Sequence, residues 1–169
     1  MISGLAVFTV VHVVISLVGI FSGFVVTFGL LAGNRLDGWT VVFLTGTALT
    51  SVTGFFFPFH GITPGIVVGG LSVVLLALAI FARYSGHLAG RWRGTYVIAA
   101  MMALYLNVFV LVVQLFEKVP ALAALAPTQS EPPFKLAQGV VLICFVVLTV
   151  FAMIRFHAHC GPNPSVSRR

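Results

Sequence analysis

The sequence predicts an all-α integral membrane protein, built as one bundle of five transmembrane helices. Of its 169 residues, 60% are hydrophobic and 7% are charged, and the mean hydropathy is +1.15. A soluble domain of this length needs several times more charge on its surface. In hydrocarbon the backbone is paired within helices or closed barrels, and the apolar runs lack the two-residue alternation of barrel strands. The chain is therefore expected to fold as helices in lipid.

The stretches without Asp, Glu, Lys or Arg predict how often the chain crosses the membrane. These stretches are residues 1–34, 38–82, 94–116 and 136–154. A crossing of hydrocarbon about 30 Å thick takes about 20 residues at about 1.5 Å each, so the second stretch crosses twice and turns between Pro58 and Pro64. The predicted helices are residues 4–33, 39–58, 64–83, 94–118 and 134–159. They form one domain over residues 1–160, with a short tail at 161–169.

The basic residues predict the orientation of this bundle. Seven of the nine fall on one side of the five-helix arrangement, namely Arg35, Arg83, Arg91, Arg93, Arg155, Arg168 and Arg169. Only Lys118 and Lys135 fall on the other side. Because positive loops stay in the cytoplasm, the N-terminus is expected outside and the C-terminus inside. The first helix follows no basic segment, so it is expected to remain in a multi-pass protein of the cell inner membrane.

A basic segment at the cytoplasmic side predicts contact with lipid headgroups. Arg91, Trp92 and Arg93 are expected in a loop that binds anionic lipid or a cytoplasmic partner. The net charge of +6 follows from the topology of a membrane protein. The sequence carries no motif typical of nucleic-acid binding, so the lipid bilayer is the expected partner.

Polar residues inside the apolar stretches predict a seam or a pocket. Side-chain amides in hydrocarbon need partners, so Asn107 and Gln114 are expected to face the bundle interior, toward His12 or the hydroxyls of the second helix. The candidate pocket residues are His12, Ser16, Thr47, Ser51, Asn107 and Gln114. Two interpretations remain open: a hydrogen-bonded seam that orders the helices, and a polar pocket that opens to the outer side.

The sequence leaves the cofactor undetermined. A b-type haem needs two axial ligands, and His12 and His60 both lie toward the outer side. We interpret His60 instead as a residue of the turn, because it follows Pro58 and precedes Gly61. A haem-binding or quinone-binding electron carrier is therefore an alternative to the main hypothesis.

A second group of candidate ligands is predicted at the cytoplasmic side. His157, His159 and Cys160 are close in sequence, and His87 lies in a loop on the same side. Histidine and cysteine bind zinc or copper, but three or four must converge, and a last helical turn also favours histidine through its dipole. These residues are weak metal-site candidates.

Glycines spaced four residues apart predict close pairing of helices. GxxxG pairs occur at Gly19 with Gly23, Gly29 with Gly33, and Gly65 with Gly69. Such pairs fit close packing within the chain, in a homo-oligomer or in a larger membrane complex. Residues 119–127 are expected to form a short helix that starts at Pro120 and lies as a lid over the outward end of the bundle.

The expected function is non-catalytic, either an accessory role or the binding of a small ligand. The three carboxylates lie at or beyond the ends of the predicted helices, with Asp37 and Glu131 in loops and Glu117 in the last turn of helix 94–118. Acid–base catalysis and proton-coupled transport both need better placed carboxylates. Passive transport of a small molecule, by a channel or transporter, is the second alternative.

Overall fold

The structure is a computed structural model that describes residues 2–57 and 64–158. The described residues form helices and contain no strand, which confirms the predicted all-α class. The helices are α1 (Ile2–Leu31), α2 (Asp37–Gly54), α3 (Pro64–Ile80), α4 (Arg91–Lys118), α5 (Pro120–Leu125) and α6 (Pro132–Ala158). A π-helical turn, Phe81–Ser85, continues α3. The predicted reversal at Pro58, His60 and Gly61 and the tail at 161–169 lie outside the described residues.

Within residues 2–57 and 64–158, four helices are long and apolar enough to cross a membrane. They are Gly4–Leu31, Gly65–Ser85, Arg91–Lys118 and Pro132–Phe156. The helix that separates this number from the predicted five is α2, which has 18 residues. It begins with Asp37 and carries six hydroxyl side chains, Thr40, Thr45, Thr47, Thr50, Ser51 and Thr53. These residues keep the mean hydropathy of α2 below that of the most apolar 18-residue segments of the other four helices.

α2 packs antiparallel along α1. At one end, the ring of Phe57 lies 5.1 Å from that of His12 near the start of α1. Toward the other end, Trp39 lies 6.0 Å from Phe21. Between these contacts the two backbones meet, because a Cβ on Gly46 would lie 3.2 Å from the Cα of Gly19. The short α2 therefore runs beside most of the length of α1.

α4 is the central helix of the bundle. It contacts α1, α2, α3, α5 and α6. Half of its most apolar 18-residue segment is buried, compared with 11 to 22% for the other three candidate spans. Those helices instead expose large apolar side chains such as Phe28, Val74 and Ile143, as expected for a surface in contact with lipid.

The charged residues mark two different ends of the bundle. At the basic end, Arg83 forms an ion pair with Asp37, and the Arg93 guanidinium lies 5.8 Å from the Phe156 ring. These contacts bring the start of α2 to the end of the α3 segment and the start of α4 to the end of α6. At the opposite, open end, Phe116 packs on Phe134, 5.4 Å away, close to Lys118 and Lys135. We call the two ends the basic end and the open end.

Several predicted helix boundaries are wrong by two to four residues. α2 ends at Gly54 and not at Pro58, and α4 begins at Arg91 and not at Gly94. The connection before α4 is short because its residues turn sharply: His87, Leu88 and Gly90 have φ angles of 48, 54 and 48°. Such left-handed conformations reverse the chain in few residues. Arg91, Trp92 and Arg93 therefore form the first turn of α4 and do not form a loop.

Candidate functional site

The described chain has a cavity of about 480 Å³ in its open half, between α1, α2, α3 and α4. This volume lies within the range of small-molecule pockets. Its lining residues fall into three levels along the helices, which we call the floor, the waist and the mouth. The floor lies deepest in the bundle and the mouth lies at the open end.

Each of the four helices contributes a polar side chain to the floor. They are Ser16 from α1, Thr50 and Ser51 from α2, Ser72 from α3 and Asn107 from α4. Asn107 is 7% exposed and its Nδ2 donates to Thr47 Oγ1 at 3.1 Å. Thr47 is fully buried beneath the floor. The amide is therefore partnered across the α2–α4 contact while it also faces the cavity.

Glycines close the bundle directly beneath the floor. Gly19 and Gly46 bring α1 against α2, and Gly23 meets the side chains of Leu104 and Phe43, where a Cβ would lie within 3.0 Å of either. A larger residue at Gly23 would therefore require the Leu104 and Phe43 side chains to shift. The GxxxG pair of α1 thus pairs helices within the chain, and the cavity ends where this packing begins.

The waist of the cavity is apolar. It is formed by Val13, Gly54, Val68, Gly69 and Val110. Gly69 leaves room for the Phe55 ring, whose nearest atom would lie 3.2 Å from an added Cβ. A molecule in the cavity therefore meets hydrocarbon surface between two polar levels.

The mouth carries the charged residues of the cavity. Gln114, Glu117 and Lys118 line it from the last turns of α4, beside Phe55 and Phe57. The Gln114 Nε2 donates to Glu117 Oε2 at 3.2 Å, and both side chains are exposed. No residue of α5 lines the cavity, although this short helix begins at Pro120 as the sequence predicts and packs on α4.

The structure brings four of the six predicted pocket residues to the cavity surface. They are Ser16, Ser51, Asn107 and Gln114. Thr47 lies beneath the floor, and His12 lies beside the cavity without lining it. The His12 Nδ1 is 2.8 Å from Thr53 Oγ1, and the His12 ring packs edge-on against Phe57. Ser72 was not predicted, although it is the one polar side chain of α3, a signal that the sequence does contain.

The predicted metal ligands lie at the basic end or outside the described residues. His87 is exposed in the connection before α4. His157 belongs to the last turn of α6, while His159 and Cys160 fall outside the described residues. Among the residues that the structure describes, no three His, Cys, Asp or Glu side chains converge on a point. His60, which the haem alternative would need as a ligand and which we interpret as a turn residue, also falls outside them.

The three predicted lipid-headgroup residues differ in their surroundings. Arg91 is exposed at the start of α4. Trp92 packs against the Phe81 ring at 5.2 Å. Arg93 is partly buried, with its guanidinium over Phe156, and its Nε has no hydrogen-bond partner among the described residues. Arg91 is therefore the member of this group with the most freedom to meet a headgroup.

Comparison with protein-family models, with curated proteins and with solved structures finds no match to this chain. What the cavity offers chemically is a set of neutral polar groups below an apolar waist, with ionisable groups at the mouth. Such an arrangement suits the binding of a molecule with polar and apolar parts.

Replacing Asn107 with Leu is expected to destabilise the bundle, because it removes the hydrogen bond to Thr47. We expect a loss of about 0.6 to 1.7 kcal/mol in the free energy of unfolding, measured by thermal melting in detergent. Gln114→Leu and Thr45→Val, both at exposed positions, should change the melting temperature less. Equal melting temperatures for the three variants would contradict the structural role assigned to Asn107.

Proposed function

We propose that this chain is a five-span protein of the inner membrane with a non-catalytic role, and that it binds a small molecule in the cavity of its outer half. The observation that carries the proposal is the cavity of about 480 Å³ with a polar floor. The two parts of the proposal, the topology and the binding, have separate support.

The antiparallel packing of α2 supports a fifth crossing. Its 18 residues rise about 27 Å, close to the thickness of the hydrocarbon core. Several of its hydroxyls bond to its own backbone: Thr50 donates to Gly46 O at 2.9 Å and Ser51 donates to Thr47 O at 3.0 Å. Hydroxyls partnered in this way are tolerable in lipid. The polar composition of α2 is therefore compatible with a membrane span.

The charge distribution supports an orientation with the cavity outside. Within the described residues, the basic end carries five arginines, Arg35, Arg83, Arg91, Arg93 and Arg155. The open end carries Lys118 and Lys135. The positive-inside rule then assigns the basic end to the cytoplasm, where exposed Arg91 can meet anionic headgroups. The mouth of the cavity faces the outer aqueous phase.

The orientation is tested by reporter fusions in cells. Alkaline phosphatase joined after Arg169 should be inactive, because an odd number of crossings leaves the C-terminus inside. The same reporter inserted after Pro127, in the connection between α5 and α6, should be active. An active fusion after Arg169 would mean that the number of crossings or the orientation is wrong.

The position of ionisable groups supports binding over catalysis. Glu117 and Lys118 are the charged residues that line the cavity, and both lie at its mouth. No histidine occurs among the described lining residues, which gives the haem alternative no axial ligand at this cavity. The close packing of Gly19 and Gly46 beneath the floor ends the cavity partway through the bundle, which favours binding over passive transport.

Filling the floor is expected to remove the bound molecule. We expect the wild-type chain, extracted directly into polymer-bounded nanodiscs, to carry one small molecule that native mass spectrometry detects. Ser51→Phe places a ring in the cavity and should lose this molecule. Val52→Phe, at the exposed neighbouring position on α2, is the matched control and should retain it.

Two results would overturn the binding proposal. A wild-type chain that carries no bound molecule would contradict it. The same bound molecule in the wild type, Ser51→Phe and Val52→Phe would also contradict it. A Soret band in the wild-type spectrum that His12→Ala abolishes would replace it with an electron-carrier function.

A further inference from the structure

The chemistry of the floor specifies the kind of molecule that the cavity takes. Resting on the proposed binding function, we infer that the ligand is an uncharged amphiphile with a hydroxyl group, held with the hydroxyl at the floor and its apolar chain in the waist. Three features of the cavity carry this inference: its charge, its hydrogen-bonding groups and its apolar middle.

The floor contains no ionisable side chain among its described lining residues. Its polar groups are the hydroxyls of α1, α2 and α3 and the amide of Asn107. The nearest charged lining residue along α4 is Glu117, ten residues and about 15 Å away. A buried charge without a partner is strongly unfavourable. A carboxylate or an ammonium group is therefore a poor occupant of the floor.

Two hydroxyl groups of the floor can act only as hydrogen-bond acceptors, because each already donates its own proton to another group. The Thr50 and Ser51 hydroxyls donate to backbone carbonyls of α2, so they present only lone pairs to the cavity. A ligand that only accepts hydrogen bonds, such as an ester, an ether or an oxidised quinone, leaves these lone pairs unmatched. A ligand with an O–H donor matches them.

The floor also offers donors. Asn107 uses one N–H of its amide on Thr47 and keeps the other. The Ser16 and Ser72 hydroxyls make no hydrogen bond to any described residue. A hydroxyl group donates one hydrogen bond and accepts two, so it matches both sets of groups at once. This balance distinguishes an alcohol from a purely accepting or purely donating head.

The apolar waist fits the hydrocarbon part of such an alcohol. Val13, Val68 and Val110 surround it, and Gly54 and Gly69 add no side chain. Along α4, Val110 is the described lining residue between Asn107 of the floor and Gln114 of the mouth, a rise of about 10 Å. An alkyl or isoprenoid chain attached to the hydroxyl is buried there without an unpaired polar group.

The test uses a fatty alcohol with a photoreactive diazirine next to its hydroxyl group. The full chain is labelled in lipid nanodiscs and the modified peptides are mapped by mass spectrometry. We expect labels near Ser72 and Asn107 at the floor. Excess decanol should prevent this labelling about tenfold better than methyl decyl ether, decanoate or decylammonium do, because these lack the donor or carry a charge.

Ser72→Ala provides a variant that keeps the size of the floor. It removes one hydroxyl from the site, so the preference for decanol over the ether should fall by about a factor of three. Thr45→Val, an exposed hydroxyl outside this cavity, should leave the preference unchanged. The competition ratio is measured on folded protein, which separates binding from stability.

The outcomes distinguish this inference from the function on which it rests. Equal protection by decanol and its ether, or labelling at the mouth near Glu117, would overturn the hydroxyl at the floor while the cavity remained a binding site. Protection by decanoate or decylammonium as strong as that by decanol would also overturn it. Labelling of no lining peptide would overturn the binding proposal itself.

Discussion

The contact between Gly19 of α1 and Gly46 of α2 divides the bundle into a closed half and an open half. A Cβ on Gly46 would lie 3.2 Å from the Cα of Gly19, so a larger residue there would push the two backbones apart by a few tenths of an ångström. Toward the basic end, the α1–α2 pair packs on α4 through Gly23 and Leu104. About one turn in the opposite direction Ser16 already lines the cavity. The cavity thus begins where the close contact between Gly19 and Gly46 ends.

The polar groups follow the same division. In the closed half, Ser22 and Thr27 donate to carbonyls of their own helix, at 2.7 and 2.9 Å. At the basic end, the ion pair of Arg83 with Asp37 ties the α3 segment to α2, and the same guanidinium lies 5.3 Å from the ring of Tyr96 in α4. The Ser22 and Thr27 hydroxyls are therefore satisfied by their own helix, whereas the floor keeps groups that a ligand can satisfy.

The sequence was sufficient for the fold class and for part of the cavity, and the reasons are specific. Long uncharged stretches predict helices in lipid, because no other local structure satisfies the backbone there. Asn107 could be identified because an amide within an apolar helix needs a partner. Ser72 and the π-helical turn were missed, since one serine gives no periodic pattern, and the turn of His87 and Leu88 uses left-handed conformations at residues that rarely adopt them.

The central claim is that the outer half of the bundle contains a cavity open to the outside down to its floor. Thiol accessibility tests it most directly, in a background with Cys144→Ser and Cys160→Ser. A small membrane-impermeant thiol reagent added outside intact cells should modify Ser72→Cys, which lines the cavity at its floor, and leave Thr27→Cys, which is buried in the closed half away from the cavity, unmodified. A Ser72→Cys protein as unreactive as Thr27→Cys, or reactive only from the cytoplasmic side, would contradict the account.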